Sequence, residues 1–346
     1  MDVRLSPEQE ALRDSAVRLA DHLGPHAVGD LGDPERTAKL DAAVAAAGWR
    51  ELRAAAEGDA PLASGVEVGI VAEALGRRLA DVSFFGPTMA SELRRMAGAA
   101  PTGELETVVF DTGLTSVARV EPGGRPHGVA VDVQGATGAL LLIVGDGGTR
   151  LAQVGLHQDP VGTDLTRPSS VLDPLVEVGP VPGADRPLTE EALDRWTALG
   201  LALACADLVG VMDGAVQLGA AYATERHQYG AAIGSFQAVQ HLLADAHVLT
   251  EGSRSVTLHA LWAVDELPTA DALGAAAVAK AYCARAARQV CETVIQVHGG
   301  IGNTWECLAH VYLRRSLLSG DLLGDAEASL SRVLHHRGIG GDHGLP

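Results

Sequence analysis

The sequence predicts a mainly α-helical protein with a small β domain set between two helical ones. Three observations carry this. Apolar residues recur at helical spacing through residues 6–97. Short apolar runs divided by Gly and Pro fill residues 104–181. Long Ala-rich stretches then run from 189 to about 335. The expected domains are 1–102 (α-helical), 103–184 (a reduced β domain) and 185–346 (a four-helix bundle).

Each element has local chemistry behind it. Ser6 before Pro7, with Gln9 three residues on, forms a capping box with Pro at the first helical position. Leu12, Ala16, Leu19 and Leu23 follow on one face, and residues 40–47 and 66–79 continue as amphipathic helices. Residues 108–110, 117–120, 129–133, 140–144 and 151–154 read as short strands between turns, hence a small antiparallel sheet. Residues 180–185 (Pro-Val-Pro-Gly-Ala-Asp) read as a linker. Thr189 supplies half a capping signal, and Glu190 and Glu191 suit the first turn of a helix running to about Thr224. Breaks follow at residues 228–230, at Pro268 and at residues 298–302.

Composition excludes several function classes. The 346 residues are 47% hydrophobic but only 3% aromatic, so Ala, Val and Leu must build the core. The net charge of −18, with Lys39 and Lys280 the only lysines, argues against nucleic acid as a partner. Cys205, Cys283, Cys291 and Cys307 make no CxxC pair or zinc spacing and read as free thiols of a reducing cytoplasm. No secretory leader is expected at Met1–Pro7, and no membrane span is expected, since Asp207 and Gly210 interrupt the apolar stretch 199–211.

Two segments carry chemistry. Residues 225–240 (Glu-Arg-His-Gln-Tyr-Gly-Ala-Ala-Ile-Gly-Ser-Phe-Gln-Ala-Val-Gln) place an Arg, an aromatic and a Gln around a turn. An Arg clamps phosphate, an aromatic covers a ring and a Gln both donates and accepts. A helix–turn–helix with a surface Arg fits the same residues. Residues 296–306 (Gln-Val-His-Gly-Gly-Ile-Gly-Asn-Thr-Trp-Glu) hold three glycines that admit close backbone approach, and amides opening the next helix can face an anion. A plain helix stop explains the glycines equally well. A helix precedes them, which excludes a Rossmann loop.

Together the two segments resemble the acyl-CoA dehydrogenase family, whose C-terminal bundle carries Glu-Arg-x-x-Phe/Tyr-Gly…Gln and then Gln-x-x-Gly-Gly-x-Gly. The resemblance extends to Ala47-Gly48-Trp49-Arg50-Glu51-Leu52, Glu73-Ala74-Leu75-Gly76-Arg77, Gly86-Pro87 with Met89-Ala90, Ala279-Lys280-Ala281-Tyr282 and Leu313-Arg314-Arg315. It is faint over the β domain. It implies a helical domain, a β domain and a helical bundle, with FAD between domains and subunits. It also implies α,β-dehydrogenation of an acyl-CoA, in which a carboxylate takes the α-proton and flavin takes the β-hydrogen as hydride. The ADP half of FAD would fall on Arg226, Tyr229, Gln237, Gln296, Gly299 and Gly300, largely across a subunit interface.

The sequence also departs from the family. The two places for the catalytic Glu fall on Leu323 and on Gly200. The loop and Trp that line the flavin ring are reduced to Glu121-Pro122-Gly123-Gly124, with no Trp between Trp49 and Trp196. The ADP side is kept while the ring side and base are lost. This resembles the subunit that, in bacterial heteromeric members, lends its ADP-binding edge to an unlike partner. Such heteromers are associated with breakdown of steroid side chains and similar bulky acyl-CoAs. Two alternatives stand beside it. One is an active homo-oligomer using Asp207, Asp321, Glu306 or His310 as base. The other is a flavin-free structural or interaction subunit.

Overall fold

Capping chemistry opens the fold as the sequence predicts. In the computed structural model, which describes residues 4–56, 59–156 and 162–339, α1 (Pro7–Leu23) begins at Ser6. The Ser6 hydroxyl accepts from the Gln9 amide at 3.2 Å, and the Gln9 side chain accepts from the Ser6 amide at 3.0 Å. Met1–Val3 and residues 340–346, included in the expected terminal domains, lie outside the described residues. Asp33 caps α2 (Pro34–Ala46), and Ser64 with Glu67 caps α3 (Gly65–Arg77). The next helix, α4 (Phe85–Ala97), has no cap of its own. Asp132 supplies one from the sheet region, accepting from the Phe84 and Gly86 amides at 2.8 and 3.1 Å.

The β region contains β1 (Glu106–Phe110), β2 (Arg119–Val120), β3 (Val129–Val131), β4 (Gly138–Gly145), β5 (Gly148–Gly155), β6 (Ser169–Val171) and β7 (Val178–Pro180). It is not purely antiparallel as expected. The order is β6-β3-β1-β4-β5-β7, with β2 also against β4, and β1–β4 and β2–β4 are parallel pairs. After β3 turns back along one side of β1, the chain crosses to lay β4 on the other side, and that crossing makes the pair parallel. The expected linker is stitched in rather than free. Pro180 pairs with Ala152, Val181 is buried, and the Arg186 amide donates to Ala97 O at 3.1 Å.

Five helices follow: α5 (Glu190–Glu225), α6 (Gln237–Glu266), α7 (Thr269–His298), α8 (Ala309–Asp321) and α9 (Ala326–His336). Thr189 Oγ1 accepts from the Ala192 amide at 3.1 Å, completing the cap. Helix α5 is long and apolar enough to cross a membrane, but 89% of its most apolar window is buried inside the structure. It packs against α3, α6, α7 and α8. The α3 and α5 backbones nearly touch: a Cβ on Gly210 would lie 2.0 Å from Glu73 O. This close approach brings the helices near enough for small side chains to pack a core poor in aromatics.

Asp207 interrupts the apolar face of α5 and is only 2% exposed. Arg315 of α8 meets it at 2.7 Å and Arg167, from the segment before β6, at 3.0 Å; Ser319 donates to it at 2.7 Å. Burial alone would raise this carboxyl, but the two guanidiniums hold it down at about 2. Arg315 also donates to Ala80 O and Thr166 Oγ1. One carboxylate thus ties the first helical segment, the β region and the bundle together. Removing it by Asp207→Ala strands two buried cations, an expected loss of about 3–5 kcal/mol. A carboxylate held below its unfolded value adds stability above pH ~4 and loses it as pH falls toward 2. Urea midpoints measured from pH 5 to pH 2 should fall more steeply for the wild type than for Asp207→Asn. Parallel curves would contradict this role.

Candidate cofactor site

The two chemistry-bearing segments meet at one end of the bundle. Helix α5 ends with Arg226, whose amide donates to Tyr222 O at 2.9 Å and whose carbonyl accepts from Ile233 at 2.8 Å. Between them a hairpin of β8 (His227–Gln228) and β9 (Ala231–Ala232) turns at Tyr229 and Gly230, with φ of 52° and 82°. Positive φ at both central residues matches the turn type that two-residue hairpins favour, although Tyr is an unusual occupant. The hairpin lies against α5, close enough that a Cβ on Gly234 would be 2.9 Å from Ala223 O. Helix α7 ends alongside, where His298 stacks on Tyr222 with ring centroids 4.3 Å apart.

Arg226, Tyr229, Gln237, Gln296, Gly299 and Gly300 are all exposed at this end, Tyr229 by 96%. Among the described residues, the Arg226, Gln237 and Gln296 side chains make no hydrogen bond or ion pair. An unpaired guanidinium on a chain of net charge −18 is available to an outside anion. Gly299 takes φ 64°, ψ −143°, a conformation that suits glycine. A Cβ on Gly300 would meet nothing within 4 Å. A diphosphate joined to a ribose and a purine fits this donor set: a free cation, open glycine backbone, two free amides and an exposed ring. One expectation is corrected. The glycines do not open the next long helix. They lie within a short 3-10 turn (Gly299–Asn303), and α8 begins only at Ala309, because the loop folds back on α7 at Gly302.

At the other end of α5, Gly200 and Leu323 come together. A Cβ on Gly200 would lie 2.3 Å from Leu323 Cδ1 and 2.9 Å from Met89 Cε. Leu323 is fully buried at φ 62°. Its amide donates to Leu114 O at 2.6 Å, in the loop after β1, and its carbonyl accepts from Arg332 at 2.7 Å. Lys280, wholly buried, donates to the carbonyls of Leu322 and Gly324; burial draws its ammonium down to about 8.

Residues 198–336 match the acyl-CoA dehydrogenase C-terminal domain family. The chain is 30% identical to acyl-CoA dehydrogenase IpdE2 of Mycolicibacterium smegmatis over 347 residues, covering 95% of this chain and 98% of that protein. The chain belongs to the acyl-CoA dehydrogenase family. Its fold matches the Tcur3481-Tcur3483 steroid ACAD (TM-score 0.78, 24% identity, 96% of this chain and 98% of that one). It also matches the ChsE4-ChsE5 complex of Mycobacterium tuberculosis (TM-score 0.75, 21% identity, all of both chains).

For an acyl-CoA dehydrogenase the Gly200–Leu323 contact is informative. The two places where the resemblance puts a base adjoin in space, and aliphatic side chains fill the gap between them. The substitute bases fare poorly. Asp207 is committed to Arg167 and Arg315. His310, in the first turn of α8, packs edge-on against Trp305 at 5.1 Å, with burial lowering its pKa, and Glu306 lies exposed in the loop before α8. Tyr312, two residues after His310, packs at Gly214, which is roughly 21 Å along α5 from Gly200. Asp321 ends α8 in solvent, two residues before Leu323. Of the remnant, Glu121, Gly123 and Gly124 line a cavity of about 340 Å³ with Ile143 and Leu175, away from Gly200 and Leu323. Sequence reading missed the loop after β1, where Asp111 accepts from Gly113, Thr115 and Ser116 and so sets Leu114 against Leu323.

The contact predicts a specific non-additivity. Gly200→Ala should cost about 1–3 kcal/mol by overpacking against Leu323. Adding Leu323→Ala should make the Gly200→Ala step less costly by at least ~0.5 kcal/mol. Additive losses in urea melts would refute the contact.

Proposed function

We propose that this chain is the subunit of a heteromeric acyl-CoA dehydrogenase that lends the ADP-binding side of an FAD site to an unlike partner. The partner carries the flavin-ring pocket and the base. The observation that carries this reading is the contrast between the two ends of α5. The surface end keeps an unpaired Arg226 and open glycines, whereas the interior end is closed by Leu323 against Gly200. The names of the two fold neighbours, each a pair of chains, support a heteromer, and the name of one points to a steroid-derived acyl-CoA as substrate class. Free buried thiols at Cys205, Cys283 and Cys291 suit a reducing compartment.

Arg226 holds the pyrophosphate, Gly299 and Gly300 admit it to the backbone, Gln237 and Gln296 reach ribose or adenine edges, and Tyr229 covers a ring face. FAD held there would supply the acceptor for the β-hydrogen and its electron pair; the α-proton would go to a carboxylate that this chain does not offer at Gly200 or Leu323, leaving the electron pair at the α-carbon to form the double bond.

A charge-assisted contact contributes about 1.5–3 kcal/mol, so Arg226→Ala should weaken FAD retention by roughly tenfold or more. Gly300→Val adds its side chain into open space and should block FAD while the protein stays folded. Equal flavin occupancy in variants and wild type at limiting FAD would overturn the assignment. The purified chain alone should not turn over acyl-CoA with an artificial electron acceptor, because a positioned base contributes about 10²- to 10⁴-fold. Mixing with a longer family member that has its own Glu should restore turnover. Robust turnover by the chain alone would contradict the proposal and direct attention to Asp321, the open carboxylate next to Leu323.

A further inference from the structure

We propose that Tyr222 and His298 are positioning residues that hold the two halves of the ADP site at working distance. The inference rests on the reading above and concerns two side chains outside the set assigned to the cofactor. The halves come from different helices. Among the described residues, no hydrogen bond joins residues 226–240 to residues 296–303. Each half sits at a helix terminus, where backbone bonds are fewest and fraying starts. The Tyr222–His298 stack bridges these two termini, with the rings inclined by 22°.

Both rings are tied to the atoms they would position. Tyr222 lies one turn before Arg226, and its carbonyl accepts the Arg226 amide. His298 is buried and directly precedes Gly299. Its Nδ1 lies 2.8 Å from Val294 O. A carbonyl only accepts, so Nδ1 carries the hydrogen and the ring plane is set by α7. Burial lowers the imidazole pKa, which keeps the ring neutral and suited to stacking on the phenol. One turn below the stack, Leu243 and Val294 close on Gly219 of α5, at 3.2 and 3.4 Å from where its Cβ would stand.

The test uses the full chain. Hydrogen exchange is followed at the amides of residues 299–303, on the opposite side of the stack from the substitution. Tyr222→Ala should speed it about two- to tenfold, and Tyr222→Phe should restore the wild-type rate. FAD affinity should fall by a similar factor in Tyr222→Ala and recover in Tyr222→Phe. On an Arg226→Ala background, Tyr222→Ala should cost little further affinity, because a positioning residue acts through the group it positions. His298→Ala attacks the same stack from α7 and should reproduce the exchange and affinity changes if Tyr222→Ala does not fold. Unchanged exchange at residues 299–303 would overturn the stack's role. Loss of FAD in Arg226→Ala but not in Tyr222→Ala would overturn the positioning while leaving the ADP site intact. Unchanged FAD binding in both would instead refute the ADP site itself.

Discussion

The buried Asp207 carboxylate is the constraint on which the rest of the arrangement depends. It stands on the central helix, and its charge can be balanced only by drawing in cations from other layers. Arg315 brings α8, and Arg167 brings the chain that leads into β6. Arg167 also lies over Phe85, within an aromatic run of Phe85, Phe110 and Trp196 that seals α4 and β1 against α5. Once α8 is fixed in this way, the turn after it has one place to go. Leu322 and Leu323 enter the core, and Lys280 and Arg332 take up the freed carbonyls. The closed interior is therefore a built feature, with its polar atoms paired, and not a gap left by a missing residue.

That closure gives the two ends of α5 different fates. A catalytic carboxylate at Gly200 or Leu323 would need space, water or substrate beside it. Here the neighbours are Met89 and the backbone of Leu114. At the far end the opposite holds: charged and amide groups face outward without partners, free to be ordered by a ligand or a second chain whose contacts offset the side-chain freedom they would lose. Surface donors without an interior reaction chamber make sense in a subunit whose site is completed by another protein.

Much of this was legible in the residues. Caps at Ser6 and Thr189, the break at Pro268 and the glycine stop after His298 are local signals, and local chemistry decides them. The parallel pairing of β1 with β4 was not legible, because strand order depends on where the chain crosses and not on alternation within a strand. Asp207 was legible only in part. An acid inside an apolar helical run announces a buried partner, but its cations lie 40 residues upstream at Arg167 and far downstream at Arg315, and spacing gives no hint of either. The six proposed cofactor positions come from their motifs, and the structure shows them exposed at one end of the bundle. The Tyr222–His298 stack was not legible, since neither residue carries a distinctive signal until the helix ends are brought together.

The central claim is that one flavin site is built jointly by unlike chains while this chain's own interior stays closed. The direct measurement is flavin stoichiometry in a complex assembled from this chain and a longer family member that has its own Glu, from flavin absorbance and the protein content of each subunit. The account predicts one FAD per unlike pair, lost when Arg226 is replaced by Ala in this chain alone. Two FAD per pair, or full occupancy with Ala at position 226, would contradict it.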